Sequence, residues 1–132
     1  MMQFDHIGLF VKSLKIGLHH LHELINVNRV SDVIEDPVLK VAIQFTYDSS
    51  GLCYELVAPF GKPNPVDSVL KANKNILNHV AYRTDAFDAD IKQFRKRGCI
   101  HLGAPQSSKA FAGKRVIFFL TPLRMVIELI EA

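Results

Sequence analysis

The sequence predicts an α+β fold made of two tandem βαβββ modules. Two observations carry this: an internal repeat at one fixed offset, and the same strand–helix–strand order on both sides of it. Phe4-Asp5-His6-Ile7-Gly8-Leu9 resembles Leu77-Asn78-His79-Val80-Ala81-Tyr82. Tyr54-Glu55-Leu56-Val57 resembles Ile127-Glu128-Leu129-Ile130, and the step from Glu55 to Glu128 equals the step from His6 to His79. Each half therefore carries a histidine and, at the same interval after it, a glutamate. The first module with its linker spans 1–70 and the second 71–132, with the seam near Lys71 to Ile76 and the whole forming one domain.

In the first half, Phe4 to Val11 reads as a strand. Ser13 then offers a hydroxyl to the free N–H groups of a first helical turn. Leu14, Leu18, Leu21 and Ile25 give that helix one apolar face, which Gly17 weakens. Val27 to Val33 and Val38 to Tyr47 read as strands, and Asp48-Ser49-Ser50-Gly51 as a turn into a strand over Leu52 to Ala58. Pro59 to Asn75, with three prolines and a short helical pattern at Val66, Val69 and Leu70, forms the linker.

The second half repeats the order. Ile76 to Thr84 is a strand, Asp85 a helix cap, and Phe87, Ile91 and Phe94 the buried helix face. Gly98 ends the helix in the left-handed conformation. Cys99 to Leu102 is a short strand, and Lys114 to Leu120 forms a hairpin with Met125 to Ile130 across Thr121-Pro122-Leu123-Arg124.

Composition bounds the function. Of 132 residues, 48% are hydrophobic and 22% charged, values of a globular chain that exclude disorder and low complexity. No apolar run reaches the roughly 20 residues of a membrane helix, and no secretory leader pattern opens the chain. The net charge of +3 is too mild for nucleic acid and suits a small anionic ligand. Cys53 and Cys99 form neither a metal spacing nor a disulfide framework, so a cytoplasmic setting is expected.

The histidines and glutamates point to a metal. Side chains alternate between faces along a strand, so His6, His79, Glu55 and Glu128 each fall among apolar neighbours. A carboxylate buried alone costs several kcal/mol or takes up a proton. Two carboxylates, each matched to an imidazole, call for a shared counter-charge, and one divalent ion (zinc, nickel, cobalt or manganese) supplies it. The competing reading is a vestigial repeat whose polar groups are merely hydrogen-bonded. His19, His20 and His22 fall largely outside the apolar stripe of their helix and read as a solvated surface. Ala112-Gly113-Lys114-Arg115 reads as a solvated hairpin entry rather than a phosphate loop.

These residues resemble the vicinal oxygen chelate superfamily, which includes glyoxalase I, methylmalonyl-CoA epimerase, extradiol dioxygenases and fosfomycin resistance proteins. The likeness covers nearly the whole chain and is strongest to the epimerase-like members. Phe4-Asp5-His6-Ile7-Gly8 is similar to their opening strand, and Glu55-Leu56-Val57-Ala58-Pro59-Phe60-Gly61 to their E-L-x-x-P-x-G segment. Leu77-Asn78-His79 and Val126-Ile127-Glu128-Leu129 resemble their central and terminal strands.

The resemblance implies one metal ion held by His6, Glu55, His79 and Glu128, within a mixed sheet whose two half-barrels form a cup. It implies a lyase or isomerase acting on a small 2-oxo or acyl thioester through an enolate, the proton moving on Glu128 or Glu55. Gln44, Phe45 and Phe118 are the substrate-binding candidates, with Val126 on the wall. The expected assembly is a homodimer, and the expected partner a small molecule such as an anionic thioester. One departure stands out: the strand from Val38 to Tyr47 carries no acid, where the epimerases usually place a base. A non-catalytic, drug-sequestering protein of the same fold is the alternative. A dioxygenase, with two histidines and one carboxylate on Fe(II), fits less naturally because both Glu55 and Glu128 are present.

Overall fold

A computed structural model describes residues 2–63, 65–72 and 77–132. In chain order the elements are β1 (Met2–Phe10), α1 (Leu14–Leu24), β2 (Val27–Val30), β3 (Ile34–Asp36), β4 (Val41–Asp48), β5 (Cys53–Pro59) and α2 (Pro65–Ala72). They continue as β6 (Leu77–Thr84), α3 (Phe87–Lys96), β7 (Ile100–His101), β8 (Gln106–Ser107), β9 (Arg115–Leu120) and β10 (Val126–Glu131), with a 3-10 turn at Lys109–Phe111. The ten strands form one open mixed sheet in the order β2-β4-β5-β1-β6-β10-β9-β7, with β3 on β4 and β8 on β9. The α+β class and the mixed sheet are as expected. Two compact units divide the chain: His6–Asn78, and His79–Ala132 together with the N-terminal residues through Asp5. Among the described residues, no helix is long and apolar enough to cross a membrane.

In the unit from His6 to Asn78, β1 and β5 run parallel with Gly8 opposite Glu55, while β4 runs antiparallel with Phe45 opposite Glu55. Partners across a sheet share a face. His6, Gly8, Glu55, Val57, Ile43, Phe45 and Tyr47 therefore lie on one face, and Leu56, Ala42, Gln44 and Thr46 on the other. Ser13 caps α1 as expected, its Oγ accepting from the Ile16 N–H at 3.2 Å. Leu21 is buried, with Leu14, Leu18 and Ile25 half-buried beside it. Gly17 does more than weaken α1: a Cβ there would stand 2.8 Å from Val11 Cγ1, so the missing side chain lets the helix lie close to the end of β1.

Several boundaries differ from expectation. The segment read as one strand over Val27 to Val33 stops at Val30, and a short β3 follows it. The next strand begins at Val41 rather than Val38, because Asp36 Oδ1 accepts from the N–H groups of Val38 and Leu39, each at 3.0 Å, and curls the chain into a turn. Lys40 leaves that turn with φ 58. Part of the expected seam near Lys71 to Ile76 lies outside the described residues.

In the other unit, β6 and β10 run parallel with Val126 opposite His79, and β9 and β10 antiparallel with Glu128 opposite Phe118. His79, Ala81, Glu128, Ile130 and Phe118 share a face. The opposite face carries Ile117, Phe119 and Leu129, which pack with Phe87 and Ile91 of α3 into a core. Asp85 is not the cap of α3. The Thr84 hydroxyl accepts from the Ala86 N–H at 3.0 Å and pairs with Asp90. Gly98 has φ 87, as its position at the helix end requires, and Arg124 takes the left-handed conformation in the glycine-free hairpin turn. Arg115 ties α3 to the sheet, donating to both carboxylate oxygens of Asp88 (3.1 and 3.0 Å) and to both of Glu131 (3.2 and 2.8 Å).

Two expectations follow. Gly17→Ala gains helix propensity of about 1 kcal/mol, but the clash with a stiff β-branched side chain outweighs it. Urea unfolding should show a net loss of about 1 kcal/mol or more, recovered in part by Val11→Ala in the same chain. Glu131 is held down to about 2 from 4.5, foremost by its hydrogen bonds from the Arg115 side chain. A depressed carboxyl contributes stability that is complete above 4.5 and is lost as the pH falls toward 2. Thermal melts of Glu131→Gln should thus lie below the native protein at pH 7 and converge with it toward pH 2.

Candidate metal centre

Each unit buries one imidazole against one carboxylate. In the first, His6 Nε2 stands 3.4 Å from Glu55 Oε1, with the two side chains 0% and 4% exposed. In the second, His79 Nε2 stands 3.2 Å from Glu128 Oε1, with exposures of 2% and 4%. The strand register places them: Glu55 is opposite Gly8, and Glu128 is opposite Ala81. A hydrogen or a single methyl at these neighbouring positions leaves room beside each carboxylate.

The surroundings repeat as well. The His6 and Phe45 rings meet edge-on at 6.0 Å and 70°. The His79 and Phe118 rings meet at 5.1 Å and 80°. The step from Phe45 to Phe118 equals the step from His6 to His79, so the offset that relates the histidines and glutamates extends to the aromatic beside each pair. The flanking sequences hide this third match, which becomes visible once the strands are in register.

The substrate-binding candidates separate here. Phe45 and Phe118 lie on the same sheet face as the His–Glu pair of their own unit, and so does Val126. Gln44 lies on the opposite face of β4 from Glu55, and its amide donates to the Ser31 carbonyl at 3.0 Å. Gln44 thus anchors the chain after β2. His19 and His20 are exposed, each beside Glu23 on the surface of α1.

His6 and Glu55 in one unit, and His79 and Glu128 in the other, are buried, and each offers one ligand atom of a type that a metal ion takes. The spacing inside each pair fits. Two ligand atoms bound at about 2.1 Å and separated by an octahedral or tetrahedral angle stand roughly 3.0–3.4 Å apart. Two imidazoles with two carboxylates is a first-row divalent ion's chemistry rather than that of calcium or a thiolate-bound centre.

The model of the glyoxalase/bleomycin resistance protein/dioxygenase superfamily matches residues 5–118. The chain belongs to that superfamily. No curated protein matches the sequence. Solved structures share the fold at low identity. A hypothetical protein, BH1468 from Bacillus halodurans C-125, aligns over 99% of this chain and 94% of its own with a TM-score of 0.81 and 20% identity. Methylmalonyl-CoA epimerase from Mycobacterium tuberculosis aligns over 97% and 86% with a TM-score of 0.77 and 18% identity. A Streptomyces coelicolor methylmalonyl-CoA epimerase variant in complex with 2-nitronate-propionyl-CoA aligns over 98% and 96% with a TM-score of 0.71 and 21% identity.

A buried polar pair is a poor stabiliser, because the cost of desolvating its partners offsets their attraction. Replacing one pair by apolar residues of similar size, His79→Leu with Glu128→Met, should leave the metal-free protein folded and no less stable. Circular dichroism and urea unfolding in the presence of chelator check this. A loss above about 3 kcal/mol would show the pair to be structural.

Proposed function

We propose that this superfamily member is a metal-dependent lyase or isomerase that moves a proton next to the carbonyl of a small 2-oxo compound or acyl thioester. The observation that carries the reading is the buried His–Glu pair repeated in each unit at 3.2–3.4 Å. In this reading the two pairs serve one divalent ion: zinc, nickel, cobalt or manganese. When bound, such an ion supplies Lewis-acid stabilisation of the negative charge that develops on a substrate carbonyl. The presence of methylmalonyl-CoA epimerases among the proteins of similar fold supports the thioester class.

The remaining work falls to the chain itself. His6 and His79 hold position, each steadied by its edge-on phenylalanine. Phe45 and Phe118 wall off water, which strengthens every electrostatic interaction beside them. Glu128 and Glu55 are the proton carriers in this reading, each through a carboxylate oxygen. The face of β4 that carries Phe45 presents Val41, Ile43 and Tyr47 and no acid, so no base comes from that strand. The reading includes a cytoplasmic setting, where the free thiols Cys53 and Cys99 stay reduced, and a homodimeric state.

The test begins with metal. Elemental analysis and calorimetry should find about one divalent ion bound per chain, and His79→Ala should lose it while keeping the native circular dichroism spectrum. The metal-loaded protein should then exchange solvent deuterium into the carbon beside the carbonyl of an acyl-CoA or a glutathione hemithioacetal. Glu128→Gln should abolish that exchange. A folded protein that takes up no metal would remove the site. Metal uptake without exchange on any of these substrates would favour the ligand-sequestering alternative.

A further inference from the structure

The strand register of the first unit places one more residue on the face of Glu55. Arg29 on β2 is opposite Tyr47 on β4, Tyr47 is opposite Cys53 on β5, and Glu55 lies two residues further along β5. Two strand spacings of about 4.8 Å and a two-residue step of about 6.8 Å put the Arg29 and Glu55 backbones roughly 12 Å apart on one face.

Arg29 differs from the other arginines carried on strands. Arg83 is paired with Asp5, and Arg115 with Asp88 and Glu131. No carboxylate among the described residues pairs with Arg29, whose guanidinium lies over the Tyr47 ring at 3.8 Å. Stacking restrains a long side chain and leaves the edge of the guanidinium plane, where its N–H donors point, open to solvent. A restrained planar fork with uncompensated charge is suited to bidentate binding of a phosphate or carboxylate. The residue is exposed, so an incoming anion meets it first.

We propose that Arg29 is the anion-recognition residue of this site. It holds the phosphate or carboxylate at the far end of an elongated thioester whose reacting carbonyl lies beside Glu55. This rests on the thioester reading above and narrows it to substrates that carry an anion remote from the reacting carbon. Tyr47 is the positioning residue, because its ring sets the direction of the guanidinium.

Calorimetric binding to the native protein, Arg29→Met and Arg29→Lys tests this with three probes: propionyl-CoA, S-lactoylglutathione and the uncharged S-propionyl-N-acetylcysteamine. The Met variant should weaken one of the two anionic probes about tenfold or more, as expected for a lost charge-assisted hydrogen bond. The uncharged probe should change less than twofold, and Lys should restore part of the loss. Which anionic probe responds distinguishes phosphate from carboxylate. Equal weakening of all three, no change in either anionic probe, or no binding of either to the native protein would overturn the assignment. Metal uptake is measured separately on the same variants and should be unchanged, so a failed metal site and a failed anion site give different results.

Discussion

A carboxylate buried against an imidazole in the middle of an apolar sheet face is the constraint around which each unit is arranged. Neither group can be solvated there, so the pair must be matched in position and given space. The matching comes from parallel pairing, which sets Glu55 opposite Gly8 and Glu128 opposite Ala81 on the strands that carry the histidines. The space comes from those small residues. The opposite face is then left to supply stability. In the second unit it does so with Phe87, Ile91, Ile117, Phe119 and Leu129, clamped by Arg115. Packing of this kind contributes what the polar pair does not, since buried polar pairs add little net stability.

The repeat is kept where geometry demands it and relaxed elsewhere. Histidine, glutamate, phenylalanine and the small residue beside the glutamate all recur at one common offset between the halves. The helix starts do not recur: one is capped by Ser13 itself, the other relies on Thr84 two residues before the cap position. A cap needs only an oxygen near free N–H groups, which several residue types supply from several positions. A His–Glu pair needs one residue type on each of two strands in one register, so drift is far more costly there.

The same distinction separates what is legible in the sequence from what is not. The site pairs, the helix stripes, the Ser13 cap and the Gly98 stop depend on local identity or on a spacing shared by the two halves, and each can be read directly. The separation of Gln44 from Phe45 is also in the sequence: adjacent residues of a strand fall on opposite faces, and Phe45 is the one on the face of Glu55. The strand break at Asp36-Pro37 is likewise readable as a turn in which a carboxylate captures two N–H groups. The role of Gly17 is not readable, because its reason lies in the approach of α1 to Val11, which only the packed structure shows. The stacking of Arg29 on Tyr47 also needs the register of β2, which a bulge between Val27 and Arg29 shifts.

The same register limits where a proton can go. On the His6–Glu55 face, β4 contributes Val41, Ile43, Phe45 and Tyr47, and β3 contributes Asp36 opposite Val41. Asp36 is committed elsewhere, its Oδ1 taken by the N–H groups of Val38 and Leu39. On the His79–Glu128 face, β9 and β10 contribute Val116, Phe118, Val126 and Ile130. Apolar walls of this composition strengthen charge interactions but accept no proton. Among the residues these registers assign, the carboxylates left to accept one are Glu55 and Glu128, and each already faces an imidazole. In the proposed reaction, proton transfer therefore falls to the same two side chains that are paired with the histidines. A substitution at either glutamate should disturb binding and chemistry together, whereas Arg29, two strands away from Glu55, can be altered without touching either pair.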